Sequence, residues 1–490
     1  MRIHRLLPLF FTLLVAPNAA RAGDELTGVP EEWRAKVESV LDGPLRKCMA
    51  DLDEEERVGA AFLLVTMPPH HRKNLTGPVL HEHVKYAYRA RRELAWTKKL
   101  PEEVFRHYVL PILSGDEKIE AYRKFFWEEA LPRLKKKRVK TLEAAALEVN
   151  RFCGSKVTFK ATPPEDSSPL EIMKRGYGRC EEEGIFFNAV ARTCGVPARV
   201  ASTPYWTYKA SNHAWCEVYT GDGKRPWHFL GACEPAGKLD QAWFKGDVKR
   251  AALVLSRAIG KPEGDELLAD LGGVSLINST KYYTKTCRMT LVVRGAGGDA
   301  VPNAAIAMYV FNEVGNDPRL HHLFRSKVDG EGKLVFDLGP GDYVVHATSG
   351  GEGGFAIARS VVGKKATTEI SIGAPAATSD GAKDGESGVR LLLGPGAKDS
   401  VAVVSPLATL PFKAAAKVKV GKGGVVAPLS PGRYLVETGR RKGDGQINMT
   451  LQVIDVAEGK TTILRIPGKF PKKTRKPDAG NGMFVLLYPR

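Results

Sequence analysis

Three things are missing from this chain of 490 residues, and each absence narrows what it can be. None of its seven cysteines forms a Cys-x-x-Cys pair, which argues against zinc fingers and thioredoxin-like redox chemistry. Beyond its first 22 residues there is no apolar run approaching the roughly 18 residues that a spanning helix needs, so no transmembrane segment is expected. The densest basic run, Lys135-Lys136-Lys137-Arg138, has no interleaved aromatic residues of the kind that stack on single-stranded nucleic acid, so no specific nucleic-acid partner is expected. No metal site and no cofactor motif is recognised either.

An export signal is present. Arg2 and Arg5 precede the apolar run Leu6 to Ala16, and Ala20-Arg21-Ala22 offers a small-x-small cleavage site before Gly23. No cysteine follows that run until Cys48, which argues against a bacterial lipid anchor. Removing Arg2, Arg5 and Arg21 with the signal lowers the net charge from +18 by three, so the mature chain stays basic. A basic exported protein could bind an anionic cell-surface polymer, although a solvated Lys-rich surface explains the charge equally simply. The expected location is secreted, periplasmic or cell-surface. Seven cysteines in an exported protein leave at least one thiol unpaired if all the others pair, and arithmetic alone does not say which.

The fold class expected is multidomain: a helical N-terminal region, an α+β core and two C-terminal antiparallel β-sandwiches. After the signal (1–22), residues 23–140 read as a helical domain and 141–285 as the core. From 286 onward, short β-runs alternate with Gly and Pro turns, and the pattern repeats. Gly330, Gly332, Leu338, Pro340, Gly341 and Tyr343 recur as Gly421, Gly423, Leu429, Pro431, Gly432 and Tyr434, every pair offset by 91. That predicts sandwiches over 286–373 and 389–470, a linker over 374–388 and a basic tail over 471–490. The turn pattern of the first copy resembles the carboxypeptidase-regulatory-like sandwich, an accessory module that implies a spacer or binding platform.

The chemistry concentrates in 176–244. Cys180 opens a helix-compatible run that Gly195-Val196-Pro197 closes, so the thiol is expected at a helix N-terminus, where unpaired N–H groups favour a thiolate. Glu181, Glu182 and Glu183 work against this, so a partner cation is needed. His213 opens a strand-like run, His213-Ala214-Trp215-Cys216-Glu217-Val218-Tyr219, and Trp227 begins another. A lone strand histidine is more often structural than catalytic.

Taken together, Gly178-Arg179-Cys180, Gly195-Val196-Pro197-Ala198-Arg199, Asn212-His213-Ala214-Trp215-Cys216-Glu217-Val218 and Trp227 resemble the transglutaminase-like superfamily, which includes transglutaminases, peptide N-glycanases and related cysteine peptidases. The resemblance implies a papain-like core with Cys180 as nucleophile and His213 as base. It also implies an acyl-thioester mechanism on amide bonds of a peptide, protein or glycopeptide, hydrolysis ahead of cross-linking. One departure stands out. The family carries an Asp four residues after the strand's Trp, and here that position is Gly231. A hairpin centred near Asp222-Gly223 would place residue 232 opposite His213. Glu234 is the nearest substitute, but it reaches the ring only if the strand bulges or ends; Asp240 lies beyond the turn. Trp206, Trp215 and Trp227 are candidates to line the substrate site. The alternative reading is a catalytically degenerate scaffold or binding protein at the cell surface.

Overall fold

The structure, a computed structural model, describes residues 24–208, 211–223, 225–314, 317–373, 382–384, 387–393, 400–441, 447–466 and 483–488. The expected signal peptide lies outside the described residues. Among them, no helix is long and apolar enough to cross a membrane.

Helices dominate up to Gly154. Glu54–Thr66 starts with a reciprocal capping box between Asp53 and Glu56, which satisfies two N–H groups left open at a helix start. Gly77–Glu93 buries Leu80, Val84, Ala87 and Tyr88, a stripe at 3- and 4-residue spacing. One apolar interior runs from Val29 to Ile259, so the N-terminal helices and the core share a single hydrophobic cluster across the expected boundary at 140. Two fully buried guanidiniums cross it: Arg123 donates to the carbonyls of Val109 and Arg192, and Arg192 to those of Leu113 and Ala198. Carbonyls that would otherwise be stranded away from water are thereby satisfied.

The core sheet has six strands in the order Trp227–Leu230, His213–Tyr219, Ala198–Thr203, Leu255–Ile259, Val274–Asn278, Leu267–Asp270. The helix Cys180–Thr193 packs on two of them, with Gly184 against Val200 and Cys216. Its C-terminus closes as the sequence predicts. Gly195 is left-handed at φ +71°, its N–H returns to Arg192, and the Val196 N–H returns to Ala191 at 2.8 Å.

Two β units follow. The first pairs a three-stranded sheet (Lys333–Leu338, Cys287–Arg294, Lys365–Ser371) with a four-stranded one (Asp317–Lys327, Ala305–Val314, Gly341–Ser349, Glu352–Ser360) around a shared cluster. The second has sheets of four and five strands and a cluster of its own. In each, the first long strand pairs in parallel with a late one, Arg288 with Lys365 and Gly388 with Thr461. The repeated residues do the same work in both. Tyr343 Oη donates to the Gly339 carbonyl at 2.9 Å and Tyr434 Oη to the Ser430 carbonyl at 2.8 Å, four residues back each time.

The surroundings of the two units differ. The interior of the first includes Ala252, Leu253, Leu255 and Leu268 from the core domain, and Gly339 N–H donates to the Ala252 carbonyl at 2.8 Å. A Cβ at 339 would lie 2.0 Å from the Ala251 oxygen, so only glycine allows this approach. The second unit meets the first through Tyr309, Val344, Leu407, Leu435 and Leu451. Two expectations need correction here. Part of the 374–388 linker is a strand, Ala382–Asp384, paired with Lys460–Ile466; residues 374–381, 385 and 386 lie outside the described residues. Within the expected 471–490 tail, Met483–Tyr488 adds a strand beside Ile447–Val456, because that run is apolar and β-prone rather than basic. The rest of the tail lies outside the described residues.

Candidate active site

Cys180 is the first residue of its helix and opens onto a cleft of about 590 Å³, with Asp166, Arg179, Asn212, Ala214 and Arg257 among the lining side chains. All seven cysteines are free thiols, and six are buried; Cys180 alone is partly exposed. Its Sγ–H donates to Glu181 Oε2 at 3.2 Å. Burial first, then the Glu181 charge and that hydrogen bond, push the thiol up to about 12, against the pull of the Ala214 and Glu181 amides. The expected lowering by the helix N-terminus is thus outweighed, and the resting group is a thiol. The cation beside it is occupied elsewhere. Arg179 donates to the carbonyls of Pro163, Pro164 and Glu165 and pairs with Asp166, which pins the 163–166 loop along the cleft, while its contact to Glu181 is longer at 3.4 Å.

His213 begins its strand opposite Thr203. Its ring lies 4.7 Å from both Trp243 and Phe244 and 5.8 Å from Trp215. The next residue, Ala214, supplies the amide that acts on Cys180, so the start of this strand and the start of the Cys180 helix meet. Further along, the shared pattern is structural. Arg199 Nε donates to Glu217 Oε2 at 2.6 Å with both side chains buried, and Tyr283, Ser256 and Ser279 donate to the same carboxylate.

The acid side departs from simple strand geometry. The ladder pairs Glu217 with Phe229 and Tyr219 with Trp227, one residue away from the expected register, and the strand stops at Leu230. Residues 231–234 then turn: Glu234 N–H donates to the Gly231 carbonyl at 3.1 Å, and Cys233 is left-handed at φ +57°. Asn150 Nδ2 holds the turn through the carbonyls of Gly231 and Glu234. The Glu234 carboxylate therefore folds back over Gly231, where a Cβ would lie 2.3 Å from Oε2. Gly231 does not have a positive φ, so space rather than backbone excludes a side chain there. Glu234 Oε1 accepts from Trp243 Nε1 at 3.1 Å, and the Trp243 ring is the one against His213. Burial raises Glu234 against the pull of that hydrogen bond; burial and then the Glu234 charge push Glu183 up to about 8. Asp240 is turned to His228, Arg225 and the Phe229 amide.

The three tryptophans need correction. Trp206, Trp215 and Trp227 are buried in packing clusters and absent from the cleft lining; Trp215 and Trp227 face inward from their strands, and Trp206 is buried in the irregular segment after Thr203. Tyr205 stacks on His321 of the first β unit at 3.7 Å. The aromatic residue that lines the cleft is Phe159, 62% exposed, while Trp243, 63% exposed, borders His213 instead; nothing in the sequence marks either.

Residues 132–231 match the family model of the transglutaminase-like superfamily. Over those residues the chain is similar to that superfamily. The match ends at Gly231, short of the turn that brings Glu234 back. An 82-residue stretch, 17% of this chain, is 33% identical to a peptide-N(4)-(N-acetyl-beta-glucosaminyl)asparagine amidase of Eremothecium gossypii and spans 20% of that protein. Among solved structures, a putative cysteine protease from Cytophaga hutchinsonii is 16% identical with a TM-score of 0.23, over 30% of this chain and 50% of that one. Red sea bream transglutaminase is 11% identical with a TM-score of 0.25, over 76% and 80%. Scores this low add nothing to the argument.

Proposed function

We propose that the transglutaminase-like domain cleaves or transfers amide bonds in a peptide, protein or glycopeptide, with Cys180 as nucleophile and His213 as general base. The observation that carries this reading is the meeting of the two element starts at one cleft, with the Ala214 amide on the Cys180 sulfur. Because the resting thiol is protonated, the base must take its proton as the sulfur attacks, rather than hold a preformed ion pair. The S–C bond forms, backbone N–H groups at the helix start take the oxyanion, and the imidazolium returns its proton to the leaving amine. Water then resolves the acyl-thioester; a lysine amine in its place would give a cross-link. Glu234, reaching His213 through Trp243, stands in for the acid absent at 231. The β units serve as accessory sandwiches of the carboxypeptidase-regulatory-like kind, and the protein acts after export.

The test is to capture the intermediate. An activated acyl peptide ester mixed with the protein should add the acyl mass at Cys180 by peptide mapping, and water or an amine should discharge it. A pushed-up thiol and a missing Asp are the two features that favour the degenerate-scaffold reading, and it takes over if no acyl adduct forms on Cys180 with any peptide or glycopeptide donor.

A further inference from the structure

His70 and His71 sit in the short helix Pro69–Arg72, and Pro68 and Pro69 fix the chain on entry. Their rings are 4.2 Å apart, and both Nε2 atoms converge on one oxygen, Asp116 Oδ1, at 3.1 and 2.8 Å. The three candidate donor atoms lie within 4.8 Å of one another, the one such group among the described residues. In a tetrahedral zinc site with bonds of 2.0 to 2.2 Å, ligand atoms stand roughly 3.3 Å apart, and the two Nε2–Oδ1 separations of 3.1 and 2.8 Å lie close to that.

Asp116 belongs to a loop that is already shaped. The Ser114 and Gly115 amides donate to the buried Glu117 carboxylate at 2.7 Å each, and the Asp116 amide donates to Asp166, which Arg179 also holds. Ser114 and Gly115 line the cleft of Cys180. His70 and Asp116 are exposed on the outer side of that loop, which leaves room for water or a ligand oxygen.

We propose that His70, His71 and Asp116 bind a divalent transition metal of the zinc class at the rim of the Cys180 cleft, with a fourth position open to solvent. Two imidazoles and one carboxylate suit zinc and exclude calcium and magnesium, which take oxygen ligands. The bound ion ties the Pro69–Arg72 helix to the cleft loop. No metal is evident from the sequence because Asp116 lies 45 residues from His71 and carries no spacing signature.

The test uses the full chain, stripped of metal with a chelator, titrated with Zn²⁺ by calorimetry and with Co²⁺ by absorption spectroscopy. One ion should bind with micromolar affinity and raise Tm. His70→Gln and Asp116→Asn, both at exposed positions that leave the fold intact by circular dichroism, should each weaken binding at least tenfold and abolish the Tm shift. The Co²⁺ spectrum should show d–d bands without thiolate charge transfer. Absence of binding at 100 μM Zn²⁺, unchanged affinity in both variants, or a thiolate charge-transfer band pointing to the cysteines overturns the proposal.

Discussion

Cys180 and His213 stand on regular elements, the first residue of a 14-residue helix and the first of a seven-residue strand. Glu234 and Trp243 stand in irregular chain between Leu230 and Lys245. The first pair is placed by backbone hydrogen bonds that any suitable side chains would permit. The second pair is placed by side chains: Asn150 on the turn, the space above Gly231, and the indole N–H on the carboxylate. A site built half from ladders and half from a turn should therefore lose function stepwise, with the regular half absolute and the irregular half graded.

The largest effect belongs to the regular half. Cys180→Ala should lower turnover by about 10⁴-fold or more, measured as peptide release, while Tm stays close to wild type, since Cys180 is partly exposed and joins no core cluster. Retained turnover would move the chemistry elsewhere and erase the distinction between the halves.

Next comes a residue that looks chemical in the sequence and is structural in the fold. Glu217 lies in the same short run as His213, but its carboxylate is buried against Arg199. Glu217→Gln leaves that guanidinium without its counter-charge, which burial makes costly, and should lower stability by about 3 to 5 kcal/mol in denaturant melts. A loss below 1 kcal/mol would show that Asp265, 3.2 Å from Arg199, suffices alone.

The irregular half comes third. Glu234→Gln keeps the Trp243 hydrogen bond through the side-chain oxygen but removes the charge, and should lower kcat on the order of 10² with little change in Tm. Adding Gly231→Asp to wild type should not raise activity, because Glu234 already fills that space. A gain from Gly231→Asp would restore the orthodox acid position and leave Glu234 as a space-filler.

These cases mark what the sequence allows to be read. Local rules suffice for the Gly195-Val196-Pro197 stop, the helix start at Cys180 and the tyrosine turns of the β repeat, because each depends on residues within one or two turns of chain. Glu234 escapes them because its placement depends on where the strand ends, at Leu230, and on Asn150 reaching across from another helix. Strand parity stops applying at the turn. Trp206, Trp215 and Trp227 differ from expectation for a related reason: proximity in sequence to a reactive motif does not say whether a ring turns to the cleft or to the interior. The strand Met483–Tyr488 was hidden by the basic residues that precede it.

The smallest effect is the most discriminating, because it concerns a residue adjacent to Cys180. Glu181 accepts the Cys180 proton and places a negative charge beside the sulfur, and both act to raise the thiol. Glu181→Gln removes the charge and so should lower the thiol from about 12. If it falls by about one unit, the thiolate fraction near neutral pH rises about tenfold. A less basic thiolate is also a weaker nucleophile, with a Brønsted slope of about 0.4 to 0.5, so the net gain in iodoacetamide labelling is about three- to fourfold. The sign carries the meaning. Faster labelling in Glu181→Gln, together with slower labelling in His213→Ala, assigns Glu181 as a brake on the thiol and His213 as its base. Slower labelling in Glu181→Gln would mean that the carboxylate itself takes the proton. The acid-base work would then sit wholly on the nucleophile helix, and the strand carrying His213 would supply only the Ala214 amide.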